Sequence, residues 1–226
     1  MGKRGVKPKG KVKIKWSSDF AYAIGLIVTD GCLYNDERHM SLTTKDIEQA
    51  KNFKNCLGIK VKIGLKTSSS YKKKECYHVQ FGDVNFYKFL VSIGLSKAKS
   101  KTIGAINIPE KYFFDYLRGC FDGDGCFYSY WDPRWRSSHM FYLEFVSASR
   151  IHIDWLQKEL ETKLHVSGHI TNGGKKICHQ LKYAKKEAVV IINKMYYNPT
   201  ATCLSRKRIK IRKALEIERK QQRAYV

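Results

Sequence analysis

The chain has 226 residues, 43% of them hydrophobic, and sets 43 Lys and Arg against 20 Asp and Glu, a formal net charge of +23. That is enough apolar side chain to bury a core in one domain or two small ones, but a charge excess of this size repels itself in a compact state unless a polyanion is the partner. Nucleic acid is the first candidate and an anionic membrane surface the second, and the second is set aside because the sequence holds no amphipathic anchor and no run of 18 apolar residues.

The N-terminal arm, MGKRGVKPKGKVKIKW, has seven basic residues in its first fifteen and no acid. It lacks the apolar stretch of a signal peptide, and its Gly and Pro break an amphipathic transit helix. Residues 1–15 read either as an arm that contacts phosphates or as a solvated tail. Next, DFAYAIGLIVTDG is helical in pattern, with Ser17 or Ser18 as N-cap and Gly31 as a stop with positive φ. LYNDERHMSLTT gives short strands and KDIEQAKNFKNCLG a helix. KVKIGLKTS and ECYHVQF form a hairpin around the polar Ser68–Lys74 loop, and NFYKFLVSIGL is a helix again. A Lys/Ser-rich connector, Leu95–Pro109, follows.

The second half repeats this order. YFFDYLRGCFDGDGCFY is helical, starting at Pro109 and stopping at Gly125. CFYSYWDPRW and HMFYLEFVSAS form a hairpin, and RIHIDWLQKELETKL is a helix. HVSGHIT and ICHQLKY pair across the Asn172-Gly173-Gly174 turn, AKKEAVVIINKMY is a helix, and SRKRIKIRKALEIERKQQ (205–222) is a basic helical tail, solvated or in contact with a polyanion. Aligning the two helix ends puts Gly25 on Gly119, Asp30 on Asp124, Gly31 on Gly125 and Cys32 on Cys126. The predicted fold is α+β: a duplicated monomer of two pseudo-symmetric αββαββα lobes, residues 1–103 and 104–226.

Asp30 and Asp124 thus fall in the last turn of their helices, where the negative end of the dipole disfavours an acid. Gly25 and Thr29, like Gly119 and Gly123, are four residues apart on one helix face and allow two backbones to approach closely. Packed through those faces, the helices bring both acids to one end, where they repel unless a cation lies between them. Two hard carboxylates suit Mg²⁺, which fills its remaining positions with water and phosphate oxygens. A basic chain with such a centre is a candidate for metal-assisted phosphodiester hydrolysis.

AIGLIVTDG and LRGCFDGDG, with INIPEKYFFDYLRGCFDGDG around the second, resemble the two signature motifs of the double-motif LAGLIDADG homing endonucleases, over nearly the whole chain. The resemblance implies motif helices at the lobe interface and a saddle of two antiparallel sheets over the DNA major groove. It implies cleavage of both strands across the minor groove, giving staggered ends, with Mg²⁺ as cofactor, Mn²⁺ substituting and Ca²⁺ binding without cleavage. Asp30 and Asp124, with the backbone of Thr29 and Gly123, match the metal-binding positions. Lys182 and Gln80 match the basic or polar residue on the last strand of each lobe, and Ser41 and Glu144 a polar site-lining position on the second strand. Val28 departs from the motif where Asp122 keeps it, so Asp122 reads as a polar or capping group at the helix interface, with a direct metal role as the lesser alternative. Proteins of this fold also serve as RNA maturases or transcription regulators, which keeps open a nucleic-acid-binding protein without cleavage.

Contacts to DNA are expected from Lys60, Lys62 and Lys66 on one strand face, from Tyr130, Arg134 and Arg136 near a hairpin tip, and from Lys175, Lys176 and His179. The seven cysteines have no C-x-x-C pair and read as reduced, mostly buried thiols of an intracellular protein. The seven histidines form no metal motif, although His39 and His139 occupy similar places in the two halves.

Overall fold

The computed structural model describes residues 10–67, 75–97, 101–135, 138–173 and 178–224, with side chains to residue 221. The first set of elements is α1 Ser18–Asp30, β1 Gly31–Leu33, β2 His39–Thr44, α2 Ile47–Cys56, β3 Gly64–Thr67, β4 Glu75–Gly82 and α3 Val84–Ser92. After a 3₁₀ turn at Glu110–Tyr112 the second set repeats it: α4 Phe113–Asp124, β5 Cys126–Trp131, β6 His139–Ser147, α5 Arg150–Leu164, β7 His169–Asn172, β8 His179–Ala184 and α6 Lys185–Met195, with α7 Ser205–Ala224 added at the end. The strands form two four-stranded antiparallel sheets of order β1-β2-β4-β3 and β5-β6-β8-β7, the same topology twice.

Alternation along the strands sets which face is buried. Met40, Leu42, Val79 and Phe81 point inward from the first sheet, and Phe141, Leu143, Phe145, Leu181 and Tyr183 from the second. The other face of each sheet is turned away from this core and is largely exposed, although Ser41, Cys76 and Glu144 are buried on it. α1 and α4 lie between the two halves, and α1 is buried on every side from Phe20 to Val28. Their contact runs through the small residues: a Cβ on Gly25 would stand 2.3 Å from the Tyr116 carbonyl oxygen, one on Gly119 2.1 Å from that of Tyr22, and one on Gly123 2.0 Å from Thr29 Oγ1.

Several local expectations are corrected. Of the two expected caps, Ser17 is the N-cap of α1, as one of the alternatives had it, its hydroxyl accepting from Phe20 N at 3.1 Å, while Ser18 donates across the interface to Asp115 Oδ1 at 2.5 Å. Pro109 opens the 3₁₀ turn, and α4 itself begins at Phe113. Gly31 and Gly125 have φ −83° and −73°, not the positive φ of a helix stop. They are glycine for room: a Cβ there would lie 2.5 Å from the Ile27 oxygen or 2.6 Å from that of Phe121. β3 starts at Gly64, so Lys60 and Lys62 precede the strand. β7 starts at His169, because His165 closes α5 at φ 55°. The Ser68–Lys74 loop and residues 1–9 lie outside the described residues.

The described residues nearest both ends are tied down more than their charge suggests. Lys11 N and Val12 N donate to Asp83 Oδ2 at 2.5 and 2.9 Å, Val12 is buried, and Trp16 packs on Phe20, Phe89 and Tyr112. The tail is not a solvated helix, since Lys207, Ile211 and Ala214 of α7 are buried. Cys76, Cys120 and Cys203 are buried, but Cys32 and Cys126 are exposed, against the expectation of mostly buried thiols. Among the described residues no helix is long and apolar enough to cross a membrane.

Replacing Gly119 with Ala forces the helix pair apart and is expected to cost about 3 kcal/mol or more. Gly104→Ala, whose Cβ would meet nothing nearer than 3.6 Å, is expected to stay within about 0.5 kcal/mol of wild type. Urea denaturation of the two variants checks the difference.

Candidate functional site

α1 and α4 end side by side. Asp30, half-buried, and Asp124, exposed, are the last residues of these helices. A Cβ on Gly123 would stand 3.1 Å from Asp30 Oδ2, which puts the Asp30 carboxylate against the end of α4. In return, Asp124 lines a small cavity with Val28 and Thr29 of α1. The two acids therefore share one end of the helix pair, as the spacing of the small residues implies.

Each acid meets the N-terminal turn of the next helix of its half. Gln49, third residue of α2 and buried, donates from Nε2 to Asp30 Oδ2 at 2.5 Å, while its Oε1 accepts from Thr44 Oγ1 at 2.8 Å. His152, third residue of α5, lines the Asp124 cavity, and its Nδ1 is 2.8 Å from the Gly104 carbonyl oxygen. Neither residue is singled out by the sequence. The only signal is that each sits three places after a helix N-cap, Asp46 or Ser149.

β1 begins one residue beyond Asp30 and β5 two residues beyond Asp124, and their register builds two matching rows. Cys32 opposes Ser41, which opposes Gln80. Cys126 opposes Glu144, which opposes Lys182. Directly opposed residues share a face, so each row crosses the face turned away from the core, with Ser41 or Glu144 buried in its middle and its end residues exposed or half-buried. The rows differ in charge. Gln80 is exposed and lies 3.2 Å from His78 Nε2, whose Nδ1 is 2.9 Å from Thr43 Oγ1. Lys182 Nζ pairs with Glu144 Oε1 at 3.1 Å. Burial, with the Glu144 charge and hydrogen bond, pushes the Tyr128 hydroxyl up to about 12. Tyr128 and Tyr130 both stack on Tyr142, with centroids 5.3 and 6.4 Å apart, which makes this face aromatic where the first is polar.

The expected contact residues divide. Lys66 and Tyr130 lie on these exposed faces, and Lys60 and Lys62 are exposed in the approach to β3. Arg134 is exposed, but its Nε and a terminal nitrogen donate to the two carboxylate oxygens of Asp132 at 3.1 and 2.8 Å, and that contact holds Asp132 down at about 2. His179 belongs to the opposite parity from Gln180 and Lys182, sharing the helix side of β8 with Leu181 and Tyr183. Its Nδ1 lies 3.0 Å from Asn172 Oδ1. Arg136, Lys175 and Lys176 lie outside the described residues.

Asp122 is fully buried. It accepts from Tyr22 Oη at 2.8 Å and from Leu204 N at 2.6 Å. Burial pushes its carboxyl up to about 6, against the Leu204 N–H, the Lys207 charge, the Tyr22 hydroxyl and Arg118. Nearby, Arg118, also fully buried, pairs with Asp115 at 2.8 Å and donates to the Met195 and Thr202 carbonyls at 2.6 and 2.9 Å. Lys207 enters from α7, its ammonium 2.5 Å from the Phe121 oxygen, 2.9 Å from that of Asp122 and 2.7 Å from that of Gly125. The sequence gives no sign of these contacts.

Among the described residues no three His, Cys, Asp or Glu side chains converge closely enough to hold a metal by themselves. Two carboxylates at adjacent helix ends fit an ion that completes its shell with water and phosphate oxygens, such as Mg²⁺, and not an all-protein zinc site.

Known structures share this architecture. Full-length DUF199/WhiA from Thermatoga maritima matches with TM-score 0.58 and 16% identity over 92% of this chain, which spans 61% of the length of that protein. The homing endonuclease I-WcaI, bound to its DNA recognition sequence, matches with TM-score 0.58 and 14% identity over 88% of both chains. The meganuclease I-SmaMI, bound to uncleavable DNA, matches with TM-score 0.56 and 14% identity over 93% of this chain and 92% of that one. No family model and no curated protein matches the chain. The chain has a LAGLIDADG-type fold.

A folded-state pKa above the unfolded value means that the contribution of Asp122 is complete below the unfolded pKa and is lost as pH rises through about 6. In metal-free protein, Asp122→Asn is therefore expected to gain stability over wild type as pH rises from about 4 to about 7, by up to about 3 kcal/mol. Paired urea titrations across that range check it.

Proposed function

We propose that the protein is a site-specific DNA endonuclease that depends on divalent metal and hydrolyses one phosphodiester in each strand. The observation that supports this reading is the pairing of Asp30 and Asp124 at one end of two helices in glycine contact, with a strand row starting two residues beyond each acid. A chain of net charge +23 suits a DNA partner, and two of the matched structures are endonucleases bound to DNA.

Asp30 and Asp124 would hold the ions, with the carbonyls of Thr29 and Gly123 beside them. When bound, divalent ions supply the Lewis acidity that lowers the pKa of an attacking water and shields the charge of the phosphate. Gln49 holds one oxygen of the Asp30 carboxylate in a fixed direction. Lys182 brings a positive charge to one half-site, and its pairing with Glu144 keeps the ammonium on the exposed face. Gln80, at the matching place, orients by hydrogen bonding without carrying charge. Lys60, Lys62, Lys66 and Tyr130 would meet the duplex, the lysines through phosphates.

The second reading is a nucleic-acid-binding protein that does not cut. What favours it is that, among the described residues, no third His, Cys, Asp or Glu side chain joins the two carboxylates to hold a metal. A cleavage selection on randomised duplex DNA with Mg²⁺ separates the two readings. The endonuclease reading expects one recovered site, cut in both strands, and loss of cutting with Asp30→Asn or with Asp124→Asn. Tight duplex binding with no cut at any metal concentration would support the second reading.

Lys182→Met is expected to slow cleavage of one strand by about a hundredfold while leaving the other nearly unchanged. Nicked circular DNA should then accumulate, and its strand is read by primer extension. Equal slowing of both strands would remove the half-site role of Lys182.

A further inference from the structure

The segment that leads into α7 is held by both halves. From the first half, Asp19 Oδ1 accepts from Thr202 Oγ1 at 2.8 Å, Asn52 Nδ2 donates to the Cys203 oxygen at 3.0 Å, Glu48 accepts from the Ser205 amide at 3.1 Å, and Asp46 Oδ2 accepts from Arg206 Nε at 2.8 Å. From the second half, Arg118 Nε donates to the Thr202 oxygen and Asp122 accepts from Leu204 N. This strap delivers Lys207 to the end of α4.

The end of α4 is a place of concentrated negative charge. Its last carbonyls have no partner within the helix, the dipole adds partial negative charge, and Asp124 adds a full one. The Lys207 ammonium is a cation matched to that end. Its three N–H donors meet the three short contacts to Phe121, Asp122 and Gly125, and the Gly123 oxygen is the fourth, longer neighbour. The ammonium also lies 4.8 Å from the Phe121 ring centre. The residue is 9% exposed, so little water competes for it. Burial pushes its pKa down to about 8, while the Asp122 and Asp30 charges pull it back up.

We propose that Lys207 is a positioning residue for the paired acids: its ammonium fixes the Phe121–Gly125 backbone and thereby sets Asp124 in the place from which it receives metal. This inference rests on the proposed function, because it assigns Lys207 to the same metal centre. It gives the basic tail a specific task within the fold. It also answers how an acid is tolerated at the end of α4 before metal arrives.

The test uses the full chain and Mn²⁺, followed by electron paramagnetic resonance, so that metal uptake is read without cleavage. Lys207→Met removes the charge and keeps most of the length, Lys207→Arg restores a charge, and Arg206→Ala cuts a strap contact while leaving Lys207 in place. The expected result is Mn²⁺ affinity about tenfold weaker in Lys207→Met, partly recovered in Lys207→Arg and unchanged in Arg206→Ala. Hydrogen exchange should rise in Lys207→Met at the amides of residues 123–126 more than elsewhere. Wild-type affinity in a folded Lys207→Met protein would overturn the proposal, as would equal weakening by Arg206→Ala. Should Lys207→Met not fold, Lys207→Arg decides: affinity within about threefold of wild type supports the role and a tenfold loss overturns it. A wild-type chain whose Mn²⁺ uptake depends on Lys207 in this way but that cuts no DNA would count against the proposed function alone. Should wild type take up no Mn²⁺, the proposed function fails, and hydrogen exchange judges Lys207 by itself: unchanged exchange at 123–126 overturns it.

Discussion

The contact of α1 with α4 is the constraint on which the rest of the molecule depends. With Gly25 and Gly119 face to face, each backbone lies against the carbonyls of the other, and no side chain larger than hydrogen fits between them. Two consequences follow from geometry alone. The helices end together, so Asp30 and Asp124 become neighbours. The strands that leave those ends start from a common point, so the first sheet begins one residue beyond Asp30 and the second two residues beyond Asp124.

The close approach concentrates negative charge, and the structure answers it differently in the two halves. Asp30 receives the amide of Gln49. The end of α4 receives the ammonium of Lys207. Asp122, next to it, is buried with two hydrogen-bond donors, while the matching residue of α1 is the apolar Val28. The strand rows extend the same asymmetry, neutral through Cys32, Ser41 and Gln80, charged through Cys126, Glu144 and Lys182. A duplicated fold thus carries two half-sites of unlike chemistry on one backbone plan.

Much of this plan was legible in the sequence because it rests on short-range signals. The i, i+4 spacing of Gly25 with Thr29 and of Gly119 with Gly123 forecast the helix contact, and the repeat order forecast two equal sheets. Gln80 with Lys182 and Ser41 with Glu144 were named as matching positions of the two halves, and the strand register adds that Gln80 opposes Ser41 and Lys182 opposes Glu144. What stayed hidden depends on partners distant in sequence. Lys207 lies 86 residues from Phe121, and in a run of basic residues nothing marks it as the buried one. The Gly31 and Gly125 conformations were misread because a close turn and a left-handed residue both demand glycine. The face that His179 takes was not legible, because one step in register reverses a strand residue.

The central claim is that Asp30 and Asp124 together hold divalent metal at a DNA phosphate. Anomalous diffraction from crystals of the chain with its selected DNA and Mn²⁺ addresses that directly. The account predicts density with an oxygen of each carboxylate at about 2.1 Å and a phosphate oxygen completing the shell. Mn²⁺ density on one acid alone, or none between the helix ends, would contradict it.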